Sequence, residues 1–467
     1  MTMRRAAALM LLVTPLAVGA QAGSPTRHFA ITHVTIVDVA GGPSRRDMTV
    51  VVDGDLITAV GPSPRVAIPR NARVVDGTGR YLVPGLWDMH VHFMNTGESA
   101  LPLLVAHGVT SVREMGGGIA DTRAWQARMA AGTLVGPRIR TAGPVLESPG
   151  YFARVRERDD RLGGRLARLV LPYRIAVGDA RQAQRAVDSV TELRADFVKI
   201  RTAASPDAYF AILAAARRAG LTVAGHAPTA VTLREASDSG QRSFEHSIAD
   251  QMRRVPVSER QALYSRFAVN GTWYVPTLVV LSAPRTRDTD VLTMLDDTLR
   301  HLDARRHFMA PSLVHWWRIQ VEERMEDTAA ARRFAMTWRS GYDGTLEVTR
   351  AMRAAGVPIL VGTDAGSVMV FPGFSVHDEL QQLVEDARLT PREALWGATL
   401  GPARFFGMER NLGTIEAGKL ADLVLLDGDP LANIRNTRRI NAVVLRGELI
   451  DSVGRRRLLE DIGRRGR

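Results

Sequence analysis

Six side chains of the kinds that bind metal ions stand at separate points of this 467-residue chain. Two of them are histidines one residue apart, and because side chains alternate along a strand, this pair would project from a single face. Imidazole nitrogens and carboxylate oxygens are common ligands of divalent cations. The six side chains are His90, His92, Lys199, His226, His246 and Asp364.

Lysine is rare in this chain. Only Lys199 and Lys419 are lysine, and the other 59 of the 61 basic residues are arginine. Either residue can serve as a surface cation, so a retained lysine indicates chemistry that a guanidinium group cannot perform. Survival by chance is the alternative interpretation.

The stretches that would position the six side chains read as strands of one barrel. Eight strand–helix units between residues 83 and 410 predict an α/β fold of the (β/α)8, TIM-like barrel type. In such a barrel the carboxyl ends of the strands open onto one face, where the six side chains would meet. A lone histidine at a strand end is usually a core residue, but four histidines with an aspartate favour a metal site. The candidate strands are Leu82–His92, Val109–Glu114, Arg138–Gly143, Asp196–Ile200, Leu221–His226, Arg242–His246, Thr272–Pro276 and Val357–Asp364.

Both ends of the chain are rich in short strands separated by turns. We expect residues 27–82 and 411–455 to form one small composite β-sandwich domain, with the barrel at 83–410 between them. Residues 282–342 read as a charged helical insertion that is either a lid over the strand ends or a surface excursion. Residues 456–467 read as a basic, solvated tail.

The first 22 residues have the pattern of a secretory signal peptide. Arg4 and Arg5 precede an apolar run that ends in the small residues Ala20-Gln21-Ala22. We therefore expect an exported protein, periplasmic or extracellular, with no stable membrane span after removal of the signal; an uncleaved anchor is the alternative. The chain has no cysteine, which excludes disulfides and thiol chemistry. Its net charge of +12 is scattered, so we expect no nucleic-acid partner.

Four motifs carry a resemblance to a known family. The chain resembles the amidohydrolase superfamily, and within it the binuclear metal branch of imidazolonepropionase-like proteins and Xaa-Pro and Xaa-Arg/Lys dipeptidases. The resemblance covers nearly the whole chain after the signal segment. The motifs are Pro84-Gly85-x-x-Asp88-x-His90-x-His92, the stretch 108–113 (GVTSVR), Gly362-Thr363-Asp364, and the stretch 413–423 (GTIEAGKLADL).

The resemblance implies a cofactor as well as a fold. In that branch the lysine of the fourth strand, here Lys199, is carboxylated by CO₂, and the carbamate bridges two divalent metal ions. A neutral amine can form a carbamate, whereas a guanidinium group is too basic to do so, which agrees with the retention of a lysine at this position. Zinc suits a histidine-rich site, although manganese, cobalt and iron remain alternatives.

The same resemblance implies a role for each ligand. His90, His92 and Asp364 would hold the first metal ion, and His226 and His246 the second. A hydroxide between the ions would attack the substrate carbonyl. Asp364 would take the proton of that hydroxide and pass it to the leaving nitrogen, acting first as a base and then as an acid.

The substrate-binding residues depart from the pattern of the family. Several relatives have a histidine in the loop after the third strand; here that loop has Tyr151, which would either donate a hydrogen bond to the substrate or only pack. Relatives often have a tyrosine soon after the fifth-strand histidine that binds a substrate carboxylate, but His226 is followed by Ala-Pro-Thr. His377 would either face the substrate or cap the next helix. These departures count against a simple dipeptidase specificity.

We therefore expect a metal-dependent hydrolase that cleaves an amide or peptide-like C–N bond in a small molecule. Hydrolysis of a cyclic amide, an ester or a lactone is an alternative, because an activated hydroxide attacks any of these carbonyl groups. A non-catalytic periplasmic protein that binds a metal or a ligand is another. The sequence predicts neither the substrate nor the oligomeric state, because specificity depends on loops.

Overall fold

The computed structural model of the protein describes residues 27–161, 165–246, 248–326 and 328–465. The predicted signal peptide, residues 1–22, lies outside these ranges. The strands are β1 His28–Ile36, β2 Arg45–Asp53, β3 Leu56–Pro62, β4 Arg73–Asp76, β5 Tyr81–Pro84, β6 Leu86–Val91, β7 Val109–Glu114, β8 Arg138–Thr141, β9 Val145–Glu147, β10 Arg174–Ala176, β11 Val198–Ile200, β12 Val223–Gly225, β13 Gln241–Phe244, β14 Trp273–Tyr274, β15 Leu423–Leu426, β16 Ile440–Leu445 and β17 Glu448–Ile450.

Helices alternate with the strands through the middle of the chain and close its carboxyl end. They are α1 Phe93–Thr96, α2 Ala100–Ala106, α3 Ile119–Ala130, α4 Pro149–Arg161, α5 Arg165–Val170, α6 Ala180–Glu192, α7 Pro206–Arg218, α8 Leu233–Asp238, α9 Ile248–Met252, α10 Val257–Asn270, α11 Leu278–Ser282, α12 Asp288–Asp296, α13 Pro311–Glu326, α14 Thr328–Ala354, α15 Phe374–Glu385, α16 Pro391–Gly397, α17 Leu400–Phe405 and α18 Ser452–Arg465. In the ranges described, none of them has both the length and the hydropathy that a membrane span needs.

The two ends of the chain build one mixed sheet. Its strand order is β17-β16-β15-β5-β1-β2-β3, and β4 pairs with β1. In β1, Phe29 and Ile31 are buried on one face; a register shift near His33 (φ 55°) then keeps Val34 and Ile36 in the same core. The two termini therefore combine as expected, but in a single eight-stranded sheet, and the expected two-sheet sandwich is not confirmed.

The α/β region has a TIM-barrel-like arrangement without one continuous closed sheet. Strands β6-β7-β8 form one sheet and β10-β9-β11-β12-β13-β14 another. Residues 357–364, expected to be the eighth strand, lie between the two sheets without forming a regular strand. Ile359 bridges Tyr274 on one side, and on the other the Met89 N–H donates to Val361 O at 2.9 Å and the Asp364 N–H to His90 O at 2.8 Å. The expectation of eight regular strands is corrected here, since this segment makes isolated bridges in place of a continuous ladder, and the φ of 61° at Asp364 ends its extended backbone.

Helices cover the outer surface of these sheets. Helix α6 is an example: Ala183, Ala186, Val187 and Val190 are buried on one face, which follows the helical spacing of three and four residues. The Asp179 side chain accepts a hydrogen bond from Gln182 N at 2.7 Å and so caps the first turn. The helices thus cover the outer faces of the strands, and the polar side chains lie at the carboxyl ends of the strands.

The insertion at 282–342 lies over the carboxyl ends of the strands. It contains α12, α13 and the first part of α14. Trp317 of α13 is fully buried, and its indole N–H donates to Gly366 O at 3.2 Å, two residues after Asp364. Of the two alternatives for this segment, the structure favours a cover over that face.

Candidate metal and active site

Two histidines reach the site from the end of the first barrel strand. His90 lies within β6 and is fully buried, while His92 follows the strand and has 19% of its side chain exposed. The centres of their imidazole rings are 5.2 Å apart. Alternation along the strand brings both rings to one side, as their spacing predicts.

Two further histidines arrive from neighbouring parallel strands. His226 directly follows β12 and His246 comes two residues after β13, and the two strands pair in parallel. Their Nε2 atoms lie 3.0 Å apart, and the Nδ1 of His246 lies 2.9 Å from the Thr277 hydroxyl. The ring of His246 is also 5.0 Å from that of His90, centre to centre. All four imidazoles thus form one cluster.

Asp364 completes the cluster from the irregular segment before α15. Its Oδ1 lies 3.1 Å from His92 Nε2 and 3.5 Å from His90 Nε2, while Ser367 donates to its Oδ2 at 2.9 Å. Burial opposes ionisation of this carboxyl group, but the hydrogen bond from His92 and the nearby imidazoles outweigh burial and lower its pKa below the usual range. The aspartate is therefore ionised at neutral pH.

Several of these groups face one another as electron-pair donors. His90 Nδ1 lies 3.0 Å from Glu245 Oε2, and a carboxylate can only accept, so the proton of His90 is on Nδ1 and its Nε2 lone pair points to Asp364. Ligand atoms of His90, His246 and Asp364 all lie within 4.8 Å of one another. Burial lowers the pKa of His90, His226 and His246, which keeps the rings neutral. Neutral imidazoles and a carboxylate converging in this way fit a divalent cation.

Lys199 lies in the middle of β11, with its side chain on the face opposite to the core residues Val198 and Ile200. Its ammonium group is buried and has no hydrogen-bond partner among the described residues. Burial lowers the pKa of this amine to about 8, so a neutral form is within reach near physiological pH. A buried, unpaired amine beside four imidazoles fits the carbamate ligand that the resemblance implies.

A buried ion pair behind the cluster was not identified from the sequence. Glu245 accepts from His90 Nδ1, from Arg113 Nη2 at 2.7 Å and from Ser243 Oγ at 2.7 Å, and both charged side chains are fully buried. By holding the proton on Nδ1, Glu245 directs the other nitrogen of His90 toward the metal position. Arg113 lies in β7 (VTSVRE) and Glu245 directly follows β13 (QRSF), and because both stretches contain several polar residues, no local pattern marked this pair.

The cluster opens into a cavity of about 230 Å³. One part of the wall carries His92, Lys199, His226, His246 and Asp364. The remainder is partly apolar, and helix α13 of the insertion contributes to it. The side chains of that remainder include Met94, Met115, Val145, Val155, Val170, Trp316 and Gln320.

A basic group on the cavity wall was also missed. Tyr151, on α4, lines the cavity beside Arg174, the first residue of β10, and Arg201, which directly follows β11. The guanidinium carbons of the two arginines lie 4.9 and 4.7 Å from the centre of the tyrosine ring. Tyr151 therefore lies on the cavity wall, where its ring packs against two cations.

His377 does not reach the cavity. It is buried within α15, with Nδ1 3.0 Å from the Thr437 hydroxyl and Nε2 donating to His107 O at 3.1 Å. The prediction that it faces the substrate or caps a helix is corrected here, because both ring nitrogens are engaged between α15 and the carboxyl-terminal segment. Lys419 likewise lies away from the cavity and donates to Glu409 O at 2.9 Å.

Comparisons with known proteins agree with this geometry. The amidohydrolase family matches residues 81–450. Imidazolonepropionase of Streptomyces griseus is 26% identical over 422 residues, which cover 85% of this chain and 92% of that protein. The match to imidazolonepropionase of Shouchella clausii is local: 36% identity over 98 residues, 20% of this chain and 21% of that one. A solved structure of bottromycin amidohydrolase is 26% identical, with a TM-score of 0.70, and the match covers 94% of this chain and 91% of that one.

The family match spans most of the chain and includes the four clustered histidines, Lys199 and Asp364. It supports hydrolysis of C–N bonds and implies a small-molecule substrate, and the family generally uses metal ions, for which His90, His246 and Asp364 are a possible binding group here. The donor set at the carboxyl ends of the strands and the matched sequence lead to one assignment: this chain belongs to the amidohydrolase family.

Proposed function

We propose that the protein is a binuclear metal-dependent hydrolase that cleaves an amide or peptide-like bond in a small molecule. The observation that carries the proposal is the unpartnered, buried amine of Lys199, which lines one cavity with Asp364 and three imidazoles, while the fourth imidazole, that of His90, is buried behind them against Asp364. Homology to imidazolonepropionases and similarity to an amidohydrolase of known structure support the reaction class.

The residues divide into two ligand groups. His90, His92 and Asp364 would hold one ion, and His226 and His246 the other, with carboxylated Lys199 between them. Two Zn²⁺ ions bound there would lower the pKa of a water molecule toward neutrality and polarise the substrate carbonyl.

Asp364 would move the proton. It is ionised, and its Oδ1 lies within 3.5 Å of two ligand histidines, so it can accept a proton from the attacking water. It would then donate that proton to the nitrogen that leaves when the C–N bond breaks. The Ser367 hydroxyl, bonded to Oδ2, keeps the carboxylate in one orientation.

The test compares substitutions at the two lysines. Lys199→Ala and Lys199→Arg should each lose at least about 100-fold in kcat/KM and bind less metal, since neither side chain can form a carbamate. Lys419→Arg is the matched control and should keep both properties. Added bicarbonate should raise the metal content of the wild-type protein but not of Lys199→Arg.

The substrate panel contains N-acyl amino acids, dipeptides, cyclic amides, esters and lactones, offered to zinc-loaded protein with metal content measured by mass spectrometry. Turnover of an amide with two ions per chain supports the proposal. Full activity of Lys199→Ala would refute the carbamate bridge. Two bound ions without turnover of any compound would favour the non-catalytic alternative.

Export is part of the proposal. The charged and apolar pattern of residues 1–22 supports a cleaved signal peptide. Cell fractionation followed by amino-terminal sequencing should find the protein outside the cytoplasm and beginning near residue 23. An intact amino terminus on cytoplasmic protein would contradict export.

A further inference from the structure

We propose that Arg174 and Arg201 form a binding site for a substrate carboxylate at the wall of the active-site cavity, so that the amide which this enzyme hydrolyses is an anion. The inference rests on the proposed function, since it concerns the substrate of the same cavity. It goes further by naming the residues that recognise the substrate and the charge that they select.

One buried carboxylate holds the two arginines. Glu147, at the end of β9, is fully buried and accepts from Arg174 Nη1 at 2.5 Å, from Arg201 Nη1 at 3.3 Å and from the Thr202 hydroxyl at 2.6 Å. Two cations therefore share one anion, which leaves one positive charge on the cavity wall. A third guanidinium group on this wall, that of Arg158, is paired with Glu323 and adds no net charge.

The arginines have hydrogen-bonding capacity left for a ligand. Arg174 has 11% of its side chain exposed, and its buried Nε has no partner among the described residues. Arg201 has 36% of its side chain exposed, and among the residues that the structure describes this side chain makes only the longer bond to Glu147. A carboxylate in the cavity can accept two parallel hydrogen bonds from a planar guanidinium group, and such bidentate pairs are among the strong hydrogen bonds of proteins.

Tyr151 keeps the pair in position. Its ring lies 4.9 Å from the guanidinium carbon of Arg174 and 4.7 Å from that of Arg201, so both cations pack against one aromatic residue. Two guanidinium groups fixed by one carboxylate and one ring lose little freedom when an anion binds.

The same cavity defines the rest of the ligand. Its wall carries the proposed metal ligands together with Met115, Val155 and Trp316. Arg174 and Arg201 lie on the same wall, so an anionic group of the ligand can contact them while the rest of the ligand occupies the cavity. The geometry fits an N-acyl amino acid or a short peptide with an apolar side chain and a free carboxylate.

The experiment uses zinc-loaded protein and matched pairs of compounds: N-acetyl-L-amino acids with apolar side chains, and the same compounds as carboxamides. Acetate release gives kcat and KM, and calorimetry gives binding. The wild-type protein should prefer the acid by about 10- to 100-fold in kcat/KM, which is the range of one charged hydrogen bond. In Arg201→Gln this preference should fall below about threefold, through a higher KM for the acid, while the carboxamide is unaffected.

Arg201→Gln leaves the shorter bond between Arg174 and Glu147 in place, so the fold should be retained. Arg174→Gln is the second variant, and Arg201→Lys should recover part of the preference. Arg128→Gln is the control, since Arg128 lies on α3 and pairs with Glu98 at the surface. It should behave as the wild type.

Equal turnover of acids and carboxamides, or an equal loss of kcat/KM for both in Arg201→Gln, would overturn the carboxylate site. Neither result would contradict the proposed hydrolase activity. If no compound is hydrolysed, the proposed function fails for this class, and binding decides the inference. Acids that bind the wild type and lose affinity in Arg201→Gln would support the site. Unchanged affinity, or no binding at all, would overturn it.

Discussion

Replacing Glu245 by glutamine tests the buried ion pair that positions His90. The substitution keeps the shape of the side chain and an oxygen that can accept from His90 Nδ1. It removes the negative charge that neutralises Arg113, whose Nη2 lies 2.7 Å from Glu245 Oε2 with both side chains fully buried. Arg113 keeps its bonds to Met89 O at 2.6 Å and to Ser243 Oγ at 3.0 Å.

The expected loss of stability is large. Removing one partner of a buried ion pair costs about 3–5 kcal/mol, because the remaining charge stays desolvated. The two bonds that Arg113 retains place the expected value near the lower limit, at about 3 kcal/mol. A second effect is weaker metal binding, by about 10- to 100-fold, because the proton on His90 Nδ1 is held less firmly.

Urea denaturation of chelator-treated protein measures the first effect without a contribution from bound metal, and zinc titration then measures the second. Glu385→Gln is the matched control: Glu385 pairs with Arg435 at 2.8 Å, but 38% and 56% of these two side chains are exposed, so the cost should stay below about 1 kcal/mol. Arg113→Met combined with Glu245→Gln should cost less than the sum of the single changes by at least about 1 kcal/mol. A loss below about 1 kcal/mol in Glu245→Gln, or strict additivity, would refute the reasoning.

Two further predictions concern other parts of the molecule. Burial, with the charge of Arg438, lowers the pKa of His377 to about 3 from the ordinary value of 6.5. The folded state therefore holds the neutral imidazole, and the stability that this ring contributes at neutral pH is lost as the pH falls from about 6.5 toward 3. His377→Gln should therefore flatten the decline of unfolding free energy between about pH 6 and pH 4 by up to about 1.4 kcal/mol per pH unit, and identical slopes in chemical denaturation would contradict this assignment. Gly225 has a φ of 153°, and a Cβ there would lie 1.8 Å from Ile200 O, so Gly225→Ala should destabilise the fold by about 3 kcal/mol or more and reduce zinc content. Gly341→Ala, where a Cβ meets nothing within 4 Å, is the control, and equal stability of the two variants would show that β12 tolerates the side chain.

The ligand cluster was predictable because each member has a local signature. His90 and His92 follow the spacing of a strand, and Lys199 is one of two lysines in a chain that otherwise uses arginine. Parallel strands share the direction of their carboxyl ends, so residues far apart in the sequence must meet once the strands align. That rule brings His226 and His246 to the same cavity.

Other features had no local signature. Glu147 lies on β9, Arg174 lies on β10, and Arg201 directly follows β11. Because the chain has 59 arginines, no single arginine is distinctive in the sequence, and only the shared carboxylate of Glu147 identifies this pair. His377 shows the opposite case: it is a histidine just after the last barrel segment, yet helix packing directs its ring to His107 and Thr437. The periodic pattern also predicted a regular eighth strand at residues 357–364, but this segment pairs with its neighbours only through isolated bridges and single bonds, and it ends in a left-handed backbone at Asp364.

The amino-acid sequence by itself determined the order of strands and helices, the joining of both termini in one domain, and the residues able to hold metal ions. These properties follow from side-chain spacing, which acts within a few residues. Only the tertiary structure decided which charges are paired, which nitrogen of His90 is free, and that the insertion helix α13 covers the cavity. Those properties depend on distances between residues remote in sequence, and packing of the whole chain sets these distances.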